Sequence, residues 1–257
     1  MITHNLSGLS VLITRPKHQA DTLCQCITER GGKTIALPTI AIQPLPPGKN
    51  QSMAYCDIAI FVSANAAYYS QFNAVVSNAV IAIGPGTAKA LTQKQISVDY
   101  IPTHYSTEGL LALPILKDVH HKSIIIFCGE NSKPMLKATL QHRGATVESR
   151  VCYRRECPII HSLEITQIIS TKIDIILSTS KESLKNLTTL FDDSFARSAK
   201  LSWLSQQRLL VIDDTMADLA KKFGFTNDII IAPNASDQAI LDTLIHYTAT
   251  SAFCRNS

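Results

Sequence analysis

The chain has 257 residues, of which 46% are hydrophobic and 17% are charged, and its formal net charge is +4 at pH 7. This length allows one large domain or two of about 120 residues, and the scattered basic residues suit an anionic small molecule better than nucleic acid. The start of the chain has no secretory pattern, no apolar run approaches the roughly 20 residues that cross a membrane, and the cysteines lack zinc spacing, so we expect a cytoplasmic protein without a metal site.

Strands alternate with helices along the whole chain. Helical spacing follows most of the predicted strands, and Ser106 is placed to cap a helix over 107–116. This alternation is typical of parallel α/β sheets, in which ligands bind at the carboxyl ends of the strands. Apolar, β-branched runs predict the strands at 9–14, 33–37, 57–63, 81–83, 98–101, 124–128, 173–177, 209–212 and 229–232.

The turn after the strand at 81–83 is a candidate binding turn. It reads Gly84-Pro85-Gly86-Thr87 at the start of a helix, and its glycines allow backbone angles that are closed to other residues. The N–H groups of a helix N-terminus carry partial positive charge and suit a phosphate or carboxylate. We expect the Thr87 hydroxyl to cap the helix or to contact the ligand. The alternative is an ordinary strand-to-helix turn, because the glycine pattern of a dinucleotide or phosphate loop is incomplete.

Parts of the chain repeat one another. Asp57 stands six residues before Ser63 across an apolar strand, and Asp174 stands six residues before Ser180 in the same way. Two similar units are therefore predicted. Further matching pairs of segments are 80–91 with 210–220, 106–111 with 236–241, and 11–34 with 124–147.

The last of these pairs predicts the domain organisation. The middle unit ends with its own copy of the strand-turn-helix, whereas the third part of the chain lacks one, so the N-terminal piece supplies it. Two crossings between the domains would form a pair of extended segments that can open and close a cleft. The predicted bounds are 1–37 with 158–257 for discontinuous domain 1, 42–149 for domain 2, and 38–41 and 150–157 for the linker strands.

Five short motifs stand in a characteristic order: Thr14-Arg15-Pro16, Phe61-Val62-Ser63-Ala64-Asn65-Ala66, Ile83-Gly84-Pro85-Gly86-Thr87-Ala88, Ser106-Thr107-Glu108-Gly109-Leu110-Leu111 and Tyr153-Arg154-Arg155. Together they resemble the uroporphyrinogen-III synthase family. The resemblance spans nearly the whole chain and rests on the order and spacing of the motifs together with the two-crossing topology. It implies an α/β fold with two similar flavodoxin-like parallel-sheet domains, a two-stranded extended linker and an active site in the interdomain cleft.

The resemblance also implies an activity. Members of this family are lyases of tetrapyrrole (heme) biosynthesis that close the linear hydroxymethylbilane into uroporphyrinogen III with loss of water and inversion of ring D. Departure of the terminal hydroxyl gives a cationic azafulvene, a spiro intermediate follows, and fragmentation with re-closure delivers the inverted isomer. A cytoplasmic monomer without a cofactor is implied, together with a transient contact with the upstream hydroxymethylbilane synthase.

Site residues follow from the same resemblance. Tyr153 would assist departure of the hydroxyl, directly or through water; the alternative is a tyrosine that packs between domains. For Ser63 the alternative role is a helix cap, which can coexist with substrate binding, and for Arg15 it is simple solvation. The substrate-binding residues predicted in this way are Arg15, Ser63, Asn65, Gly84, Gly86, Thr87, Gly129, Glu130 and Ser180.

One turn departs from the family pattern. Where many relatives carry a glycine-containing turn and a threonine, this chain has Asp213 and Asp214. Two carboxylates there would repel an anionic substrate, unless Asp213 caps its helix and faces away. Two alternatives therefore stay open: a non-catalytic, two-lobed anion-binding protein, and a degenerate paralogue that binds a tetrapyrrole without turnover.

Overall fold

The structure is a computed structural model, and it describes residues 5–46, 55–72, 75–192 and 197–250. Contacts divide the chain into unit 1, formed by Met1–Ala41 and Cys157–Ser257, and unit 2, formed by Ile42–Glu156. Each unit contains one five-stranded sheet. No helix in these described ranges is long and apolar enough to cross a membrane.

Strands and helices alternate in the described residues. The strands are β1 (Ser10–Ile13), β2 (Lys33–Ala36), β3 (Ala41–Pro44), β4 (Tyr55–Phe61), β5 (Val76–Ala82), β6 (Ser123–Gly129), β7 (Thr146–Glu156), β8 (Ile175–Leu177), β9 (Leu209–Val211) and β10 (Ile229–Ile231). The helices are α1 (Lys17–Glu29), α2 (Ala64–Tyr69), α3 (Pro85–Gln93), α4 (Thr107–Ala112), α5 (Pro114–Lys117), α6 (Met135–His142), α7 (Ser162–Ser170), α8 (Lys181–Phe191), α9 (Arg197–Ser205), α10 (Asp214–Lys222) and α11 (Asp237–Thr250).

The sheet of unit 1 has the strand order β10-β9-β8-β1-β2, and its neighbouring strands are parallel. Its central strands are buried on both faces because helices cover both sides. In β1, Leu12 packs into a cluster with residues of α7, α8 and α10, whereas Val11 and Ile13 pack with residues of α1 and α11. The alternation of side chains along a strand thus supplies both halves of the core.

The sheet of unit 2 has the order β3-β7-β6-β4-β5, and the pairs β7-β6, β6-β4 and β4-β5 are parallel. On the free side of β5, Tyr100 forms an isolated parallel bridge with Ile81 of that strand. When β6 is matched with β1, the order β7-β6-β4-β5 corresponds to β2-β1-β8-β9 of unit 1. Four strands of each sheet thus follow the same order in space, and β3 adds a fifth strand at the edge of the sheet of unit 2.

The repeated aspartates have the same structural role in both sheets. Asp57 Oδ2 accepts hydrogen bonds from the backbone N–H and the Oγ of Ser123, each at 2.8 Å, at the start of β6. Asp174 Oδ2 accepts one from the Ser10 N–H at 2.8 Å, at the start of β1. In each case the carboxylate is hydrogen-bonded to the first residue of a neighbouring strand. The bonds from Ser123 lower the pKa of Asp57 below its ordinary value of 3.8.

Several predicted elements differ from the structure. The helix predicted over 107–116 is two helices, because Pro114 has no N–H to continue the first one and instead begins α5. The strand predicted at 98–101 is reduced to the single bridge at Tyr100. The strand that includes residues 150–156 is continuous with 146–149 and forms β7. The last helix, α11, extends to Thr250, and residues 251–257 lie outside the described ranges.

Candidate functional site

The carboxyl ends of four parallel strands in unit 2 bring most of the predicted site residues to one edge of the sheet. Phe61 at the end of β4 is in register with Ala82 of β5 and with Phe127 of β6. In the next pair, Gly129 of β6 is opposite Tyr153 of β7. The residues that follow β4 and β5 therefore lie beside Gly129 and Tyr153, where parallel α/β sheets bind ligands.

Tyr153 is fixed in place, and its hydroxyl reaches this edge. Its side chain is only 5% exposed and packs in a cluster that includes Phe61 and Phe127. Its carbonyl oxygen accepts a hydrogen bond from the Glu130 N–H at 2.9 Å, and its hydroxyl lies 3.1 Å from Ser63 Oγ. The result is a phenol with a defined orientation beside a second hydroxyl.

Gly129 provides the space that the tyrosine ring occupies. A Cβ added at Gly129 would lie 2.8 Å from Cζ and 3.0 Å from the hydroxyl oxygen of Tyr153. Real Cβ atoms do not approach other atoms so closely, so any side chain at this position would displace the phenol. This is a steric reason for glycine at the predicted position.

Ser63 has two hydrogen-bonding roles at once. It is the N-cap of α2, where its Oγ accepts a bond from the Ala66 N–H at 3.0 Å, so the predicted cap is confirmed. The same oxygen meets the Tyr153 hydroxyl, and either hydroxyl can donate. At the other end of this short helix, Lys94 Nζ donates to the carbonyl oxygens of Ala67 and Tyr68. Both ends of α2 are therefore anchored, which fixes the position of Ser63.

The polar side chains of Asn65 and Thr87 lie at the same edge of the sheet. Their side chains are 9% and 4% exposed, and within the described ranges neither the Asn65 amide nor the Thr87 hydroxyl has a hydrogen-bond partner. Their polar atoms are not enclosed in the core without a partner, so they reach the surface and are accessible to a ligand at this edge of the sheet.

The N-terminus of α3 is open. Gly84 is its N-cap and Pro85 its first residue, so the prediction that Thr87 caps this helix is wrong. Thr87 lies in the first turn instead, and its N–H donates to the Gly84 carbonyl at 3.1 Å. Gly86 is exposed, and an added Cβ there would meet nothing within 4 Å. The Thr87 and Ala88 N–H groups are taken up by the Gly84 carbonyl, so in the described residues the helix start offers the Gly86 N–H to an anion.

Arg15 lies in unit 1 and is engaged within it. Its Nη1 forms an ion pair with Asp237 Oδ1 at 2.6 Å, Nη2 donates to the Ala235 carbonyl, and Nε donates to Thr179 Oγ1 at 3.3 Å. The residue is 6% exposed. The alternative of a solvated arginine is therefore wrong, and a substrate carboxylate at Arg15 would have to compete with Asp237.

Two further caps lie in unit 1. Ser180 caps α8 by accepting from the Ser183 N–H at 3.1 Å. Asp213 caps α10 by accepting from the Met216 N–H at 2.7 Å, as the sequence suggested for a non-glycine turn. Bonds from the Thr215 hydroxyl and the Met216 N–H lower the pKa of Asp213, so it carries a negative charge at neutral pH.

Three cysteines of unit 2 are buried and unreactive. Burial raises the pKa of Cys56, of Cys128 and, to about 12, of Cys152, so these thiols stay protonated in the core. In the described part of the chain, no three His, Cys, Asp or Glu side chains are placed to hold a metal ion. Tyr105, which the sequence did not single out, packs against the backbone of Gly84; its one sequence signal is its position directly before the Ser106 cap.

Most of the chain matches a known protein family. The family model described as "Uroporphyrinogen-III synthase HemD" matches residues 21–242. The uroporphyrinogen-III synthase of Escherichia coli is 28% identical over 251 residues, covering 92% of this chain and 100% of the relative. That of Salmonella typhimurium is 29% identical over 250 residues, with the same coverage.

Two solved structures share the fold. The uroporphyrinogen-III synthetase of Helicobacter pylori superposes with a TM-score of 0.60 at 15% identity, covering 93% of this chain and 99% of the other. A mutant uroporphyrinogen III synthase of Thermus thermophilus gives a TM-score of 0.51 at 13% identity, covering 97% and 100%. At these identities the likeness establishes an α/β fold with mainly parallel sheets.

Proposed function

The chain belongs to the uroporphyrinogen-III synthase family, and we propose that it is a lyase that closes hydroxymethylbilane to uroporphyrinogen III with loss of water and inversion of ring D. The observation that carries this proposal is the Tyr153 hydroxyl, held 3.1 Å from Ser63 Oγ at the carboxyl edge of the sheet. Asn65 and Thr87, whose polar groups lack partners in the described residues, lie at the same edge. A proton donor and binding groups for anions are what this reaction needs.

Tyr153 acts in the first step as the proton donor. The nitrogen of the terminal pyrrole pushes electrons toward the hydroxymethyl carbon, the C–O bond breaks, and the Tyr153 proton goes to the leaving hydroxyl, which departs as water. Ser63 Oγ–H donates to the tyrosine oxygen as negative charge develops there. The final ring closure releases a proton from carbon, and this proton restores the phenol. The step is balanced without a redox partner, in keeping with the proposed absence of a cofactor.

Neutral donors bind the substrate carboxylates. The start of α3 offers the N–H of Gly86 and the Thr87 hydroxyl, beside the Gly84 cap, and Asn65 adds its amide. Neutral donors avoid the cost of burying an additional unpaired charge when the site is empty. We confine the role of Glu130 to positioning, because its N–H already holds the Tyr153 carbonyl. Gly129 acts by leaving room for the tyrosine ring.

The finer predictions are part of this proposal. Two similar domains with paired connecting strands are supported by the matching strand orders of the two sheets. Arg15 and Ser180 of unit 1 are retained as substrate contacts, supported by the family resemblance of the Arg15 motif and by the repeat that relates Ser180 to Ser63. We also propose a cytoplasmic monomer that receives hydroxymethylbilane through a transient contact with the upstream synthase.

A coupled assay tests the activity directly. Freshly generated hydroxymethylbilane is offered to the purified protein, and the uroporphyrin isomers are separated after oxidation. We expect isomer III to predominate, and a sample without protein to give isomer I by spontaneous closure. Isomer I alone, from protein shown to be folded by circular dichroism, would contradict the proposal and leave the two binding-protein alternatives.

A further inference from the structure

The ring of Tyr105 lies directly on the backbone of Gly84. A Cβ added at Gly84 would lie 3.2 Å from Cγ and 3.3 Å from Cβ of Tyr105. The φ of Gly84 is −172°, which is extended backbone that any residue adopts. A side chain at Gly84 would therefore require Tyr105 to move by a few tenths of an ångström. The contact fixes the aromatic side chain beside the N-cap of α3.

The loop that carries Tyr105 is itself well anchored. The Ser106 N–H donates to the His104 carbonyl at 2.9 Å, and Ser106 Oγ accepts from the Gly109 N–H at 3.1 Å as the cap of α4. Gly109 packs so closely that an added Cβ would lie 1.9 Å from the His104 carbonyl oxygen. These contacts hold the backbone on both sides of Tyr105, so the direction of its Cα–Cβ bond is defined.

Tyr105 is nevertheless 63% exposed. No hydrogen-bond partner of its hydroxyl is found in the ranges that the structure describes. An anchored aromatic side chain whose free surface faces solvent is pre-organised for contact, because little conformational entropy is lost when a ligand covers it. Its position also matters, since the open helix start with Gly86 and Thr87 follows Gly84 directly.

We propose that Tyr105 is a further substrate-contacting residue, whose ring stacks on a pyrrole ring of hydroxymethylbilane. This inference rests on the proposed function. Each pyrrole of this substrate carries its carboxylates on short acetate and propionate arms. A carboxylate bound at the start of α3 therefore brings its own pyrrole ring close to the residue that covers Gly84. Offset stacking of two rings is favourable at such distances.

Variants at Tyr105 test this proposal with the coupled assay. For Tyr105→Ala we expect KM for hydroxymethylbilane to rise roughly five- to tenfold, with kcat within about twofold of wild type. Tyr105→Phe keeps the ring and should retain the wild-type KM. Tyr55→Ala is the matched control, because Tyr55 is 48% exposed and lies at the opposite, amino end of β4.

The outcomes separate this inference from the proposed function. Wild-type protein that yields isomer III, combined with an unchanged KM for Tyr105→Ala, overturns the role of Tyr105 alone. A Tyr105→Phe variant as impaired as Tyr105→Ala also overturns it, because the hydroxyl would then be the contact.

If the wild type yields only isomer I, the proposed function fails, and an equilibrium titration with uroporphyrin III decides about Tyr105. Equal Kd values for wild type and Tyr105→Ala would then overturn the inference, and weaker binding by the variant would support it.

Discussion

At the scale of single residues, the Tyr153 hydroxyl carries the chemistry that we propose. The ring is buried and the hydroxyl is bonded to Ser63, which is itself fixed as the cap of α2. Removal of the hydroxyl oxygen alone leaves the packing of the ring intact. The phenol can therefore be tested without disturbing the fold.

For Tyr153→Phe we expect kcat to fall by roughly 100-fold or more, because a positioned acid typically contributes at least that factor. Substrate affinity and far-ultraviolet circular dichroism should be retained, with about 1 kcal/mol of stability lost with the Ser63 bond. Single-turnover kinetics with the isomer assay would measure the effect. Wild-type turnover by this variant would remove Tyr153 from the mechanism.

Two glycines at the same edge of the sheet form a matched pair. For Gly129→Ala we expect a loss of about 1–3 kcal/mol of unfolding free energy, because the new Cβ overlaps the Tyr153 ring. For Gly86→Ala, where the Cβ meets nothing within 4 Å, we expect no loss or a gain of a few tenths of a kcal/mol. Urea unfolding of the two variants checks this difference. A Gly129→Ala variant as stable as wild type would mean that the Tyr153 ring can adopt another position at no cost in stability.

At the scale of elements, the Asp57 carboxylate links β4 to β6. It accepts two bonds from Ser123, and because these favour the ionised form they lower the pKa of Asp57. The stabilisation that results is present above the unfolded pKa of about 3.8 and is lost as the pH falls below it through the folded pKa. The link between the two strands is therefore expected to weaken in acid.

For Asp57→Asn we expect about 1–2 kcal/mol of destabilisation that is constant between pH 5 and pH 8. The difference from wild type should narrow below about pH 4, since the wild-type carboxyl then becomes protonated. Urea unfolding across this pH range measures it. Asp218→Asn serves as the control, because this side chain is 69% exposed on the surface of α10 and its loss should cost little. Equal stability of Asp57→Asn and wild type at pH 7 would contradict the strand-linking role.

Local signals explain which helix caps the sequence predicts correctly. The caps by Ser63, Ser106 and Asp213 depend on neighbours three residues away, so the sequence pattern is sufficient. The contact of Tyr153 with Gly129 depends on strand pairing, and the packing of Tyr105 on Gly84 joins residues that are far apart in the chain. Periodicity and spacing do not encode such contacts. The break at Pro114 was predictable from the sequence, because proline lacks the N–H that a continuing helix needs.

At the scale of the whole molecule, the two sheets show why the repeat in the sequence was informative. A strand order shared by β7-β6-β4-β5 and β2-β1-β8-β9 requires similar strand, turn and helix patterns in both units. Unit 2 is continuous in sequence, whereas unit 1 is formed by two separate segments of the chain. Each unit has its own buried clusters on both faces of its sheet.

A fragment that contains residues 42–156 should therefore fold by itself. Its sheet uses strands from this part of the chain almost alone, and its core needs no residue of unit 1. We expect cooperative thermal unfolding and dispersed amide resonances in a heteronuclear NMR spectrum. The fragment 1–41 is the contrasting case and should be unfolded, because β1 and β2 lack β8. Collapsed NMR dispersion for 42–156 would show that unit 2 depends on the rest of the chain.

The pairing of β1 with β8 has a consequence for biosynthesis. Val11 pairs with Ile175, yet the 115 residues of 42–156 are translated between unit 1's two segments. At 5–20 residues per second this interval lasts roughly 6–23 s. In the nascent chain, the apolar strand β1 therefore remains without its partner β8 while unit 2 is translated and forms its own sheet. Occupation of that strand by a holding chaperone would protect the N-terminal segment from aggregation until β8 emerges.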